Sequence, residues 1–202
     1  MRILGLGGSL RRGSWNRTLL LEARDVMPDG FELDLSQLDV AGRLPLFNQD
    51  IAVQGHFPPE VEELKERLAT ADGLLLATPE YNFGIPGYLK NAIDWASRPP
   101  ADTARVFGGL PVALIGAGGL GGTIHAQDAW LMVFRYLKMR PWFGHSLFIS
   151  RGWEHFDAEG RLTDESARDQ LRLLVEEFCA HCRDLPRAGR AKAPVAAGSR
   201  GR

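Results

Sequence analysis

The sequence predicts a doubly wound three-layer α/β sandwich around a five-stranded parallel sheet. Short apolar runs alternate with longer amphipathic stretches along most of the chain, the pattern of β-α units feeding a parallel sheet. Three of the predicted strands lead directly into loops of small residues. With 45% hydrophobic and 24% charged side chains in 202 residues, the chain is long enough to bury a core without disulfide or metal staples.

The elements follow in order. Ile3 to Leu6 is the first strand, and Ser14 caps a helix with Leu19, Leu20, Ala23, Val26 and Met27 on one face. Met27-Pro28-Asp29-Gly30 is a turn, and Phe31 to Leu35 alternates as a less buried strand does. Pro58 and Pro59 open a helix through Ala71 with Val61, Leu64 and Leu68 inward, and Gly73 to Thr78 is a buried strand. Pro86 suits the first turn of a helix carrying Leu89, Ile93 and Ala96, which ends before Pro99-Pro100. Then come the strand Pro111 to Ile115, a helix within Gly122 to Met139 and the strand Trp142 to Ile149. The last helix runs from Asp164 to about Arg183, with Ala167, Leu171, Leu174, Val175, Phe178 and Cys182 along one stripe. This predicts one domain over residues 1–185 and a disordered basic tail, rich in Ala, Gly, Arg and Pro, over 186–202. Five strands and five helices in this order fit the flavodoxin kind of sandwich, whose ligands bind at the carboxyl ends of the strands.

Composition excludes several function classes. A formal net charge of −1 excludes a strongly basic nucleic-acid binder. The five cations after residue 185 conceal a body of net charge −6. Two cysteines, Cys179 and Cys182, exclude a multi-bridge secreted scaffold and a four-cysteine zinc site. Their CxxC spacing sits near the end of a helix rather than at the N-terminus that would activate a thiol, which favours core packing for Cys182. The histidines show no metal-ligand spacing, and there is no GxSxG elbow. The N-terminal apolar run is too short for a signal peptide, and no 18 apolar residues stand together, so a soluble cytoplasmic protein without a membrane partner is expected.

The chemistry lies in the three loops. The first, Gly5 to Asn16, fails the dinucleotide fingerprint because Leu10 stands at the third glycine, and it lacks a Walker lysine. It retains hydroxyls (Ser9, Ser14), an amide (Asn16) and cations (Arg11, Arg12) at a helix N-terminus, which suits a phosphate monoester. The alternative is a plain N-cap with solvated arginines. The second, Thr78 to Gly87, projects Tyr81, Asn82 and Phe83 between prolines and glycines, either as a platform for a flat heteroaromatic ring or as an ordinary connection. In the third, Gly116, Gly118 and Gly121 satisfy GxGxxG literally, but no acid follows about 20 residues on. It reads as a loop whose glycines let backbone approach a ring, or as a merely flexible one. Thirteen of the 23 glycines fall in or beside these loops.

GSLRRGSWNRTLL from Gly8 to Leu20, PLFNQD from Pro45 to Asp50, and TPEYNFGIPGYLKNAIDWASRP from Thr78 to Pro99 together carry a resemblance. FDAEGRLTDE from Phe156 to Glu165 extends it. From about residue 2 to 183 the chain resembles the NADPH-dependent FMN reductases of flavodoxin-like fold, in the branch containing bacterial chromate and quinone reductases. The resemblance implies that Ser9, Arg11, Ser14 and Asn16 hold an FMN phosphate, that Pro79, Glu80, Tyr81 and Asn82 line the isoalloxazine, and that Gly118 and Gly119 meet its other edge. The family serine often found near Gly116 or Ala117 is absent. No catalytic side chain is implied, since flavin N5 carries the chemistry: ping-pong hydride transfer from NADPH or NADH, then to quinones or similar small-molecule acceptors, including chromate, azo compounds or free flavin. The alternative is an FMN-binding electron carrier or sensor without NAD(P)H turnover. A homodimer or homotetramer is implied, with Asp50 in a cross-subunit contact. Ile85, Tyr88 and Trp95 suit either that interface or the monomer core.

Overall fold

The computed structural model describes residues 1–53, 55–185 and 187. Its strands are β1 (Arg2–Gly7), β2 (Glu32–Asp34), β3 (Gly73–Ala77), β4 (Pro111–Ala117), β5 (Arg140–Pro141) and β6 (Leu147–Ile149). All pairings are parallel, in the order β2-β1-β3-β4-β5, with β6 also on β4. The chain thus reverses direction of growth between β1 and β3, which places a crevice at their carboxyl ends. Of the strand expected over 142–149 only the end forms, as β6, and a separate short strand, β5, lies just before that range, giving six strands in place of the expected five. Arg140–Pro141 pairs with Pro111–Val112 and Leu147–Ile149 with Ile115–Ala117. Between them Gly144 folds onto Trp142 so closely that a Cβ would lie 2.1 Å from the indole.

Helices cover both faces. The five expected are α1 (Trp15–Asp25), α3 (Pro59–Thr70), α4 (Gly87–Ala96), α6 (Ile124–Tyr136) and α7 (Glu165–Asp184). Two short ones, α2 (Gln49–Val53) and α5 (Thr103–Phe107), carry too few residues for a periodic signal. Strand residues alternate by face, as a period of two requires. Ile3, Leu75, Ala113 and Ile115 pack with α1 and α7 through Leu19, Leu20, Leu171, Leu174 and Phe178. Leu4, Leu6, Leu74, Leu76 and Val112 pack with α3, α4 and α6 through Leu64, Leu68, Ile93, Trp130 and Phe134. Each such side chain contributes roughly 1.5–3 kcal/mol by leaving water. Cys182 is buried in the first of these cores and Cys179 beside it, both as free thiols. Burial pushes the Cys179 thiol up to about 12 and Cys182 higher still. Neither is poised for redox work.

Trp95 resolves to the core alternative: it is wholly buried among Ala52, Val61, Phe47 and Phe57. Ile85 and Tyr88 are half-buried against the second core. Asp50 is exposed in the first turn of α2, its N–H donating to Asn48 Oδ1 at 2.9 Å. Of the expected tail only Arg187 is described, and its buried guanidinium donates to Leu68 O and Gly108 O, each at 3.0 Å. The remainder of that expectation lies outside the described residues. Among the described residues no helix is long and apolar enough to cross a membrane, and no three or more His, Cys, Asp or Glu side chains are grouped as metal ligands would be.

One ion cluster ties α3 to α5. Lys65, 4% exposed, places Nζ 3.1 Å from Asp102 Oδ2, while Arg105 Nε stands 2.6 Å from Asp102 Oδ1. These two cations, Arg105 first, hold the Asp102 carboxyl down at about 2. A carboxylate depressed in the folded state stabilises above its ordinary value near 4, and that contribution is lost as pH falls toward 2. Asp102→Asn is therefore expected to cost about 1–2 kcal/mol at neutral pH. Urea midpoints of mutant and parent should converge as the pH drops through that window.

Candidate functional site

The loops after β1, β3 and β4 meet at one edge of the sheet, around a cleft of about 260 Å³ lined by Ser9, Arg11, Ser14, Trp15, Asn16, Pro79, Glu80, Tyr81, Ala117, Gly118 and Gly119. Of the ten residues singled out from sequence, only Asn82 lies outside this lining. Trp15 and Ala117 were not singled out, although both adjoin residues that were.

The first loop enters α1 through Ser14, whose buried Oγ accepts from Arg17 N at 3.2 Å. That is an N-cap, and it leaves the hydroxyl proton and the leading N–H groups of the helix available. Gly8 allows the first loop to touch the second, since a Cβ there would stand 2.7 Å from Leu89 and 2.8 Å from Pro79. Asn16 lines the cleft and also has a structural task. Its Nδ2 donates to Ala117 O at 2.8 Å and its Oδ1 accepts from Ala117 N at 3.0 Å, all buried. The side chain clamps α1 to the end of β4.

In the second loop Tyr81 and Gly84 exchange hydrogen bonds of 3.2 and 3.1 Å. They close a two-residue turn in which Asn82 and Phe83 have φ of 51° and 59°. This is the left-handed region, tolerable for Asn and costly for Phe. The exposed Phe83 ring meets His125 edge-on at 4.8 Å. Glu80 turns its carboxylate away from the cleft: Oε2 accepts from Ala126 N at 3.0 Å, and Oε1 lies 3.1 Å from His125 Nδ1. It thereby caps α6 across the fold, with negative charge at the positive end of the helix. Tyr88 donates its hydroxyl to Gly8 O and lies 3.3 Å from the Tyr81 hydroxyl. Burial, with Tyr81 beside it, holds that phenol protonated well above its ordinary value.

The third loop uses glycine for its own packing. A Cβ on Gly116 would stand 2.2 Å from Thr123 Oγ1 and 2.5 Å from Thr78 O, and one on Gly118 would stand 2.1 Å from Gly122 O. Gly116 and Gly118 are thus required by the loop's own packing, whereas a Cβ on Gly119 would meet nothing within 4 Å. Gly118 N donates to Ile149 O at 2.9 Å. Gly119 and Gly122 form an antiparallel bridge, with Gly122 N donating to Gly119 O at 3.1 Å.

The family model of the NADPH-dependent FMN reductases matches residues 1–154. The chain belongs to this family. It is 43% identical over 177 residues to an NAD(P)H-dependent FMN reductase of Pseudomonas aeruginosa, covering 87% of this chain and 92% of the relative. It is 38% identical over 185 residues to a 2-hydroxy-1,4-benzoquinone reductase of a Burkholderia species, covering 91% and 97%. Among solved structures it is similar to a flavoenzyme NAD(P)H:(acceptor) oxidoreductase of Paracoccus denitrificans, with TM-score 0.77, 29% identity and coverage of 92% and 98%.

The Asn16 clamp yields a prediction for the site. Asn16→Ala strands a buried N–H and a buried carbonyl on Ala117, each costing roughly 1–3 kcal/mol. Urea unfolding should show a loss of about 2–4 kcal/mol, and limited proteolysis should find the 117–122 loop newly cleavable.

Proposed function

We propose that this chain binds FMN in the cleft and works as an NAD(P)H oxidoreductase, reducing quinones or similar small acceptors. One observation carries the reading: three strand-end loops and the N-terminus of α1 converge on a single cleft whose donors match the two ends of that molecule. At one end stand the Ser9 and Ser14 hydroxyls, the Arg11 guanidinium and the open N–H groups of α1, whose first turn carries no acid. This set fits a dianionic phosphate monoester. Pro79, Glu80, Tyr81, Gly118 and Gly119 line the same cleft and would border the ring system. The names of the relatives, FMN reductase and quinone reductase, point the same way.

When bound, FMN would supply hydride acceptance from NADPH or NADH and delivery to the acceptor. The chain's own residues bind, orient and stabilise. Arg11, Ser9, Ser14 and the main chain of Trp15 and Asn16 would anchor the phosphate. The main chain of the Gly118–Gly119 stretch would border the edge of the ring on which negative charge develops. Tyr81, 48% exposed, would border an open side through which coenzyme and acceptor enter in turn. Pro79 and Glu80 serve through backbone, because the Glu80 carboxylate is held on α6. The reading includes a homodimer or homotetramer, which light scattering measures, and a cytoplasmic setting. Residues 1–185 form the binding domain in this reading.

Purified protein should be yellow or become so with FMN, and anaerobic NADPH or NADH should bleach it. Protein that stays colourless with added FMN would overturn the reading. A yellow protein that neither coenzyme bleaches would be an electron carrier or sensor instead. Arg11→Ala should weaken FMN about 10- to 100-fold, the effect of one charge-assisted hydrogen bond. Riboflavin, lacking the phosphate, should bind the variant and the parent alike.

A further inference from the structure

The segment FDAEGRLTDE, from Phe156 to Glu165, lines no part of the cleft, yet it is built against the loop that does. Phe156 and Leu162 pair across a short hairpin whose turn is tied by Asp157: its Oδ1 accepts from Arg161 N at 2.8 Å and from Glu159 N at 3.1 Å. The tip rests on the first loop. Gly160, at φ +82°, comes so close that a Cβ would stand 3.1 Å from Gly13 O, and Thr18 Oγ1 donates to Gly160 O at 2.6 Å. The base is latched to α7, where His155 Nδ1 meets Asp164 Oδ2 and Thr163 N donates to His155 O at 2.9 Å.

From this platform a column of flat groups rises into the cleft. The Phe156 ring lies under Trp15, with centroids 5.6 Å apart and planes 22° from parallel. Gly152 supports the same indole, since a Cβ there would stand 2.4 Å from Trp15 Cε3. The Arg11 guanidinium sits over the Trp15 ring, 5.1 Å from its centroid. An exposed arginine on a free loop samples many rotamers, and each ordered one carries an entropic cost. Stacking on an immobilised indole narrows that choice before any anion arrives.

We propose that the 156–162 hairpin is a brace for anion capture and that Trp15 is a positioning residue: through its stack on Phe156 it holds Arg11 where a phosphate is received. The proposal rests on the FMN reading above and adds that phosphate discrimination depends on residues about 145 positions away in sequence from Arg11. It assigns the Trp15 and Phe156 rings an effect on FMN but none on riboflavin, because the rings act through Arg11, while the Trp15 main chain that also lines the cleft is kept in every variant.

The test is a double-mutant cycle read by fluorescence titration of FMN and riboflavin into flavin-free protein, with urea midpoints to verify folding. Trp15→Leu should weaken FMN about 5- to 20-fold, roughly the share of Arg11 that ordering supplies, and leave riboflavin unchanged. Trp15→Phe, which keeps a ring face, should retain most of the affinity, and Phe156→Leu should give a smaller loss of the same kind. In an Arg11→Ala background, Trp15→Leu should cost nothing further. Equal weakening of both flavins would show a merely structural role and overturn the proposal, as would additive losses in the cycle. If Trp15→Leu does not fold, the Phe156→Leu and Trp15→Phe titrations decide by the same criterion. A parent protein that binds FMN tightly while no variant changes the FMN-to-riboflavin ratio sinks the brace alone; a parent that binds neither flavin sinks the functional reading with it.

Discussion

The site depends on one buried side-chain amide. Beyond Ala77 the strand β3 runs into Thr78 and Pro79, and proline has no N–H to continue the ladder with β4. Thr78 N still donates to Ile115 O at 2.9 Å. Two residues on, the N–H and C=O of Ala117 point to the same side and find no strand there. Asn16 supplies both missing partners, at 3.0 and 2.8 Å, as a single peptide-like group. An unpaired buried backbone group costs as much as a lost hydrogen bond, so the clamp lets β4 outrun its neighbour. The extra length carries Gly118 and Gly119 out to face the first loop.

Glycine makes the same closure possible elsewhere. The third loop matches a dinucleotide motif literally, yet Gly116 is demanded by Thr123 and Thr78, and Gly118 by the carbonyl of Gly122. Thr78 in turn is buried with its hydroxyl accepting from Trp130 Nε1 at 3.1 Å and donating to Pro79 O at 3.0 Å. A small-residue junction of this kind lets two strand ends and a helix start occupy one point, where any Cβ would separate them. The composition signalled that junction as a glycine excess, and the spacing signalled its place at strand ends. Neither could say that Gly116 and Gly118 are required by neighbouring protein atoms, Thr123, Thr78 and Gly122.

The order of elements was legible because periodicity is a local property: Leu19, Leu20 and Ala23 on α1, or Leu171, Leu174 and Phe178 on α7, report their face through spacing alone. The irregular course over 142–146 was not, since there Gly144 closes on Trp142. Nor were α2 and α5, each five residues long, which form where tertiary contacts complete too short a pattern.

Roles within the site obey a further rule that sequence does not display. Asn16, Glu80 and Tyr88 are polar residues of recognisable loops and helices, and each directs its side chain into the protein: to Ala117, to the start of α6, and to Gly8. Their work is to hold main chain still, so that backbone N–H groups face the cleft in a fixed arrangement. Such preorganised donors need no rearrangement when charge appears before them. Whether a polar side chain faces a ligand or braces a loop is decided by a partner far along the chain, 101 residues away for Asn16 and 46 for Glu80. A motif therefore identifies the group of residues that build a site well before it can say which of them touch what is bound there.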